Sequence, residues 1–119
     1  MKVGLIGFGG LGSIVAEHLR DERGVRLIAV AARARQREGV RALLGDVPVV
    51  ESAAQLLALG PELVVECASH EAFRHYAEAV LGAGIDLIAV SVGVLFESAY
   101  RERVVATAAR TGFGPAVRA

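Results

Sequence analysis

Three glycines near the start of the chain have the spacing of a phosphate-binding turn. Gly7, Gly9 and Gly12 form the pattern G-x-G-x-x-G within the stretch GLIGFGGLG. Between a strand and a helix, the first glycine permits a tight turn, the second lets a pyrophosphate approach the backbone, and the third lets the helix pack closely. Gly10 and Leu11 would begin the helix, whose free N–H groups attract phosphate. The pattern predicts a dinucleotide site, and the alternative is a purely structural glycine turn.

The stretch AVAARARQRE indicates which dinucleotide is preferred. An Asp or Glu about 20 residues beyond the glycines usually accepts hydrogen bonds from the adenosine ribose. Ala32 takes that place here, and Arg33 follows it. Because a guanidinium pairs bidentately with phosphate, Arg33 predicts contact with a 2′-phosphate, and hence NADP or the use of both NADP and NAD. Arg35, Arg37 and Arg41 are expected to form a solvated helix face.

Two further stretches, LVVECASH and AVSVGVL, leave later predicted strands. Ligands of open parallel sheets bind outside the carboxyl ends of the strands, so these stretches should meet the glycine turn in one crevice. Cys67, Ala68, Ser69 and His70 are expected to line the nicotinamide half of the crevice, and Ser91 and Gly93 are expected to lie beyond them in the same crevice.

Some of these residues have alternative roles. Ser69 is either a contact or a helix cap, and His70 is either a contact or a polar residue of the first helical turn. Cys67 is predicted to be a small buried side chain rather than a nucleophile, because no activating partner is visible. Glu66 would need a partner if it is buried, and the sequence alone names none.

The secondary-structure elements that position these residues are indicated by an alternation of apolar runs and helical patterns along the sequence. This alternation predicts an α/β fold, a doubly wound parallel sheet built from βαβ units. Strands are predicted at residues 2–6, 25–31, 47–50, 63–67 and 86–91. Helices are predicted from residue 11 to before Gly24, at residues 34–44, briefly after Ser52, after Ser69, and at residues 97–110.

Composition restricts the class of partner. The chain has 119 residues, 54% of them hydrophobic, and its 13 basic residues balance its 13 acidic ones. This balance argues against a nucleic-acid or membrane partner and favours a small molecule. One cysteine and no visible targeting segment favour the cytoplasm, and three scattered histidines give no metal-ligand spacing.

The stretches GLIGFGGLG, LVVECASHEAF and LIAVSVGVL, in this order and spacing, carry a family resemblance. The chain resembles the N-terminal NAD(P)-binding domain of the L-aspartate dehydrogenase family, part of the homoserine-dehydrogenase-like group. The resemblance implies hydride exchange between NAD(P) and L-aspartate, giving iminoaspartate or oxaloacetate plus ammonia, in service of NAD biosynthesis. It also implies that Gly7, Gly9, Gly10, Leu11 and Gly12 bind the pyrophosphate.

The resemblance also sets domain expectations. Residues 1–112 would form the dinucleotide-binding domain and residues 113–119 a tail at a truncation point. In the family, a second domain carries the catalytic histidine and much of the subunit interface, so this segment is expected to hold no catalytic residue, to be inactive alone, and to form a homo-oligomer only at full length. With a sixth strand missing or replaced by the tail, the fifth strand or its neighbour should present an unpaired edge. The alternatives are a stand-alone regulatory module and another dehydrogenase, such as one acting on homoserine.

Overall fold

Strands and helices alternate along the chain as the apolar periodicity predicts. The computed structural model describes residues 1–90 and 117–118. Its strands are β1 Lys2–Ile6, β2 Arg26–Ala31, β3 Val49–Val50, β4 Leu63–Glu66, β5 Asp86–Ala89 and β6 Val117–Arg118. Its helices are α1 Gly10–Asp21, α2 Arg37–Leu44, α3 Ala53–Ala58 and α4 His70–Gly82, with a 3₁₀ turn at Ala34–Gln36.

The strands form one parallel sheet in the order β3-β2-β1-β4-β5-β6. The chain builds outward from β1 through β2 to β3, then crosses back to β4 on the other side of β1. This reversal places the topological switch point at the carboxyl end of β1, where open sheets of this kind bind ligands. The predicted fold class is confirmed.

Helices cover both faces of the sheet. Leu5 and Ile6 are neighbours on β1 and are both buried, yet they belong to different core clusters, because successive side chains of a strand point to opposite faces. One cluster packs against α3 and α4 around Leu56 and Phe73. The other packs against α1 and α2, where Ala16 is buried. Two apolar faces explain why the strands read as nearly continuous hydrophobic runs.

Local capping signals predicted several helix boundaries correctly. The Ser52 hydroxyl accepts a hydrogen bond from the N–H of Gln55 at 3.1 Å, and the Ser69 hydroxyl accepts one from the N–H of Ala72 at 3.1 Å. These bonds satisfy amide donors that have no partner within the helix. Gly45 ends α2 with a φ of +69°, a conformation that favours glycine.

Other boundaries differ from the predictions. β3 covers only residues 49–50 rather than 47–50, because Pro48 has no N–H to donate to a ladder. The helix predicted at residues 34–44 begins as a 3₁₀ turn, in which the N–H of Arg33 donates to Gln36 Oε1 at 3.0 Å. β4 ends at Glu66, which leaves Cys67 in the following loop. The predicted helix at residues 97–110, Ser91 and Gly93 lie outside the described residues.

Among the described residues, the edge of the sheet falls on the neighbour of β5, one of the two strands at which it was expected. β6 pairs with β5 in parallel, with Val117 beside Leu87 and Arg118 beside Ile88. Backbone pairing needs an extended segment rather than a long apolar run, so two residues of a short, mixed segment suffice to cover part of the edge. The sheet therefore includes residues of the segment that was expected to be a tail. Among the described residues, no helix is both long and apolar enough to cross a bilayer.

Candidate functional site

A cleft of about 760 Å³ lies at the carboxyl ends of the strands. It runs across the ends of β1, β2 and β4, which places it at the switch point of the sheet. Eight of the predicted site residues line it: Gly7, Gly9, Gly10, Leu11, Arg33, Cys67, Ala68 and Ser69. A smaller hollow of about 530 Å³ lies at the opposite ends of the strands and contains none of the predicted residues.

Two of the three motif glycines are required by the fold. Gly7 has a φ of +99°, and a Cβ there would lie 2.8 Å from the backbone N of Ala68. A Cβ on Gly12 would overlap the carbonyl oxygen of Gly7. Helix α1 therefore packs against the strand turn more closely than any side chain would allow, as expected for the first and third glycines of the pattern.

The remaining glycines of the motif face open space. A Cβ on Gly9 or Gly10 would meet no atom within 4 Å, and both residues are exposed and line the cleft. No side chain caps α1 at Gly9, and the first turn of α1 carries no acidic residue. The first N–H groups of a helix have no partner within it, and the positive end of the helix dipole favours an anion. The residues present therefore fit the diphosphate of a dinucleotide, which would occupy the space that these glycines leave clear.

The end of β2 supplies positive charge and no acid. Arg33 and Arg35 are exposed, and both line the cleft. Arg35 was expected to belong to a solvated helix face, but the 3₁₀ turn brings it to the cleft wall. Arg37 lies outside the cleft lining, and its Nη2 is 3.6 Å from Glu51 Oε2.

The loop after β4 contains a buried acid and a buried thiol. Glu66 is completely buried, and its Oε2 accepts a hydrogen bond from the N–H of Ala68 at 2.8 Å. This bond answers the question of a partner that the sequence left open. Cys67 is 6% exposed, and burial, with the negative charge of Glu66 as a smaller cause, raises the pKa of its thiol to about 11. The thiol is therefore protonated near neutral pH, which argues against a nucleophilic role.

Sequence reasoning did not single out several residues of the cleft wall, among them Glu51, His75 and Tyr76. Glu51 follows β3, while His75 and Tyr76 lie on α4. The His75 and Tyr76 rings meet edge to face, with their centroids 5.0 Å apart. Burial raises the pKa of Tyr76, and the charge of Glu51 adds to this effect. Helical spacing could have indicated Tyr76, because it lies two turns beyond Ser69 on the same side of α4.

The remaining residues discussed from the sequence lie at the start of α4 or on its exposed face. The structure places His70 at the first position of α4, and Ser69 is the helix cap as well as a lining residue. His75 is exposed and borders the cleft. Within residues 1–90 and 117–118, no group of three or more His, Cys, Asp or Glu side chains is arranged to hold a metal ion.

Comparisons with known proteins agree with this geometry. A protein-family model described as the NAD binding domain of homoserine dehydrogenase matches residues 7–117. The L-aspartate dehydrogenase 1 of Bordetella parapertussis is 39% identical over 113 residues, which are 94% of this chain and 42% of that protein. The L-aspartate dehydrogenase of Archaeoglobus fulgidus is 33% identical over 112 residues, 94% of this chain and 43% of that protein. The chain thus spans less than half the length of these relatives.

Solved structures share the fold. GenD2 from gentamicin A biosynthesis, in complex with NAD, superposes with a TM-score of 0.83 at 21% identity, covering 99% of this chain and 34% of that one. The resemblance stated from the sequence motifs is confirmed by the sequence relatives. Because the family model covers nearly the whole chain, the protein belongs to the family of homoserine dehydrogenase NAD-binding domains.

Proposed function

We propose that this chain is the dinucleotide-binding domain of an oxidoreductase that interconverts L-aspartate and iminoaspartate, or oxaloacetate plus ammonia. The observation that carries the proposal is the open amino end of α1, where Gly9 and Gly10 leave the cleft clear and no acidic side chain stands. A nicotinamide dinucleotide supplies a hydride acceptor or donor when bound.

The chain's own contribution is to bind and orient the dinucleotide. The backbone N–H groups at Gly9, Gly10 and Leu11 would hold the pyrophosphate, and Gly7 and Gly12 would keep α1 close enough for those groups to reach it. Cys67, Ala68, Ser69 and His70 would line the nicotinamide half. From their sequence position, Ser91 and Gly93 are proposed to lie at the floor of the same crevice.

For the cofactor we propose NADP, or the use of both NADP and NAD, with Arg33 as the contact to the 2′-phosphate. Its exposure on the cleft wall supports this role, and Arg35 lies on the same wall. The absence of an acid at Ala32 removes the acceptor that most NAD sites place there. The ratio of NADPH to NADH dissociation constants for the wild type would test the preference directly.

L-Aspartate is the proposed substrate because the relatives with 38–39% identity are L-aspartate dehydrogenases. Homoserine is the second candidate, because the family model is named for homoserine dehydrogenase and a homoserine dehydrogenase from Thiobacillus denitrificans superposes with a TM-score of 0.70. The third is a stand-alone module that binds the dinucleotide for regulation. We also propose a cytoplasmic location and, for the full-length protein, assembly as a homo-oligomer.

Two measurements test the proposal in sequence. Titration of the 119-residue chain with NADH and NADPH, followed by nicotinamide fluorescence, should show saturable binding, and no binding of either would refute the assignment. The full-length protein is then assayed for reduction of NAD⁺ and NADP⁺ with L-aspartate and with homoserine. Turnover with homoserine alone would overturn the aspartate assignment. Binding without any turnover would favour the regulatory module.

A further inference from the structure

The strand beside β2 ends in an acid. In the parallel register of β2 and β3, Ala31 lies beside Val50, and the N–H of Ala32 donates to the carbonyl of Val50 at 3.0 Å. Glu51 directly follows Val50 as Ala32 directly follows Ala31, so the two residues leave neighbouring strand ends, and both line the cleft. Neighbouring strands lie about 4.8 Å apart, a gap that a glutamate side chain spans. An acid is therefore present next to the position where a ribose acceptor is missing.

Contacts on both sides hold Glu51 at the cleft. The side chain lines the cleft and is 54% exposed, so a ligand there would reach it. Its backbone N–H donates to Gln55 Oε1 at 2.9 Å, which ties it to the first turn of α3. Arg37 Nη2 lies 3.6 Å from Glu51 Oε2, which links the start of α2 to the residue after β3. A carboxylate offers about four acceptor positions, so this one contact leaves capacity for ligand hydroxyls.

We propose that Glu51 is the residue that accepts hydrogen bonds from the adenosine ribose hydroxyls when NAD is bound. The inference rests on the proposed function, because it requires a dinucleotide whose diphosphate lies at α1. With that end in place, the adenosine half extends toward the ends of β2 and β3, where the usual ribose acceptor of this fold is found. The acceptor carboxylate would then follow β3 rather than β2, and its hydrogen bonds to the ribose hydroxyls would be of the usual kind.

Charge at this end of the cleft then governs cofactor choice. Arg33 and Arg35 attract a 2′-phosphate, whereas Glu51 favours a 2′-hydroxyl and repels the phosphate. Since Arg37 offsets only part of the charge of an exposed carboxylate, both dinucleotides are accommodated. The combination accounts for the use of NAD as well as NADP by a chain that lacks an acid after β2.

The experiment compares NADH and NADPH binding to the wild type, Glu51→Gln and Glu38→Gln by fluorescence titration. Glu38 is exposed on α2 and lies outside the cleft lining, so its substitution controls for the loss of one negative charge. For Glu51→Gln we expect the dissociation constant of NADH to rise about tenfold, because a hydrogen bond to a charged acceptor becomes a weaker one to a neutral amide oxygen, while that of NADPH stays the same or falls. For Glu38→Gln the ratio of the two constants should change less than about twofold.

Several results would overturn the inference. An unchanged NADH to NADPH ratio in Glu51→Gln would show that Glu51 does not contact the ribose. An equal weakening of both dinucleotides would place Glu51 at the adenine or make its role structural. The same ratio change in Glu38→Gln would reduce the effect to general charge. If the wild type binds neither dinucleotide, the proposed function itself fails, an outcome distinct from binding with an unaltered ratio.

Discussion

Replacing Gly9 with valine should separate ligand binding from folding. Gly9 has a φ of −84° and a ψ of −155°, a conformation open to any residue, and no atom lies within 4 Å of a Cβ placed there. The valine side chain would project into the cleft where the diphosphate is expected. We therefore expect Gly9→Val to fold normally and to lose dinucleotide binding.

The expected changes in stability and in dinucleotide affinity follow from the surroundings of Gly9 in the folded chain and in the complex. At an uncrowded helix start, the change should alter the free energy of unfolding by no more than about 1 kcal/mol. Displacing the diphosphate breaks hydrogen bonds from backbone N–H groups to a charged group, each worth roughly 1.5–3 kcal/mol. Losing two of them costs about 3–6 kcal/mol, which weakens binding by roughly 100-fold or more.

The contrasting variant is Gly12→Ala. Its Cβ would overlap the Gly7 carbonyl oxygen, and a backbone atom cannot yield as a flexible side chain does. We expect this smaller substitution to cost roughly 3 kcal/mol of stability, near the upper range for overpacking. Ala58→Val, on the exposed end of α3 and away from the cleft, serves as the neutral control.

The assay pairs urea unfolding with titration of NADH and NADPH. The reasoning is refuted if Gly9→Val unfolds at the wild-type urea concentration and binds both dinucleotides with wild-type affinity. The diphosphate would then lie elsewhere, and the oxidoreductase assignment would lose its basis. Equal stability of Gly12→Ala and wild type would show that the helix does not pack on the turn as described.

Further expectations concern single side chains. Arg33→Ala should raise the dissociation constant of NADPH more than that of NADH, and an unchanged ratio in titrations would contradict the 2′-phosphate contact. Glu66→Ala should lower the free energy of unfolding in urea by roughly 1–3 kcal/mol, because the N–H of Ala68 loses its acceptor. Burial raises the pKa of the Cys67 thiol from 9.0 to about 11, so the native protein retains a proton that the unfolded chain releases, and stability should fall as pH rises from about 9 to 11. Urea unfolding measured across that pH range tests whether the free energy of unfolding decreases. In the control Cys67→Ala, the part of the decrease caused by the thiol should be absent.

Local signals explain why much of the fold was predictable. Ser52 was predicted as a cap, and Ser69 as a cap or a contact, because a hydroxyl satisfies helix amides a few residues along the chain, and both capping bonds are present. The glycine turn was identifiable for the same reason, since its demands arise within six residues. By contrast, the sequence left open whether the tail replaces a sixth strand, because the two paired residues of β6 show no periodic pattern.

The sequence by itself determined the alternation of strands and helices, the glycine turn, and the lack of an acid after β2. Only the tertiary structure decided that Glu51, which follows β3, and Arg35, which follows β2, line the same cleft. The physical reason is that periodicity and capping act over a few residues, whereas strand register brings together residues nearly 20 positions apart. Which charges meet a ligand at the strand ends is therefore a property of the assembled sheet.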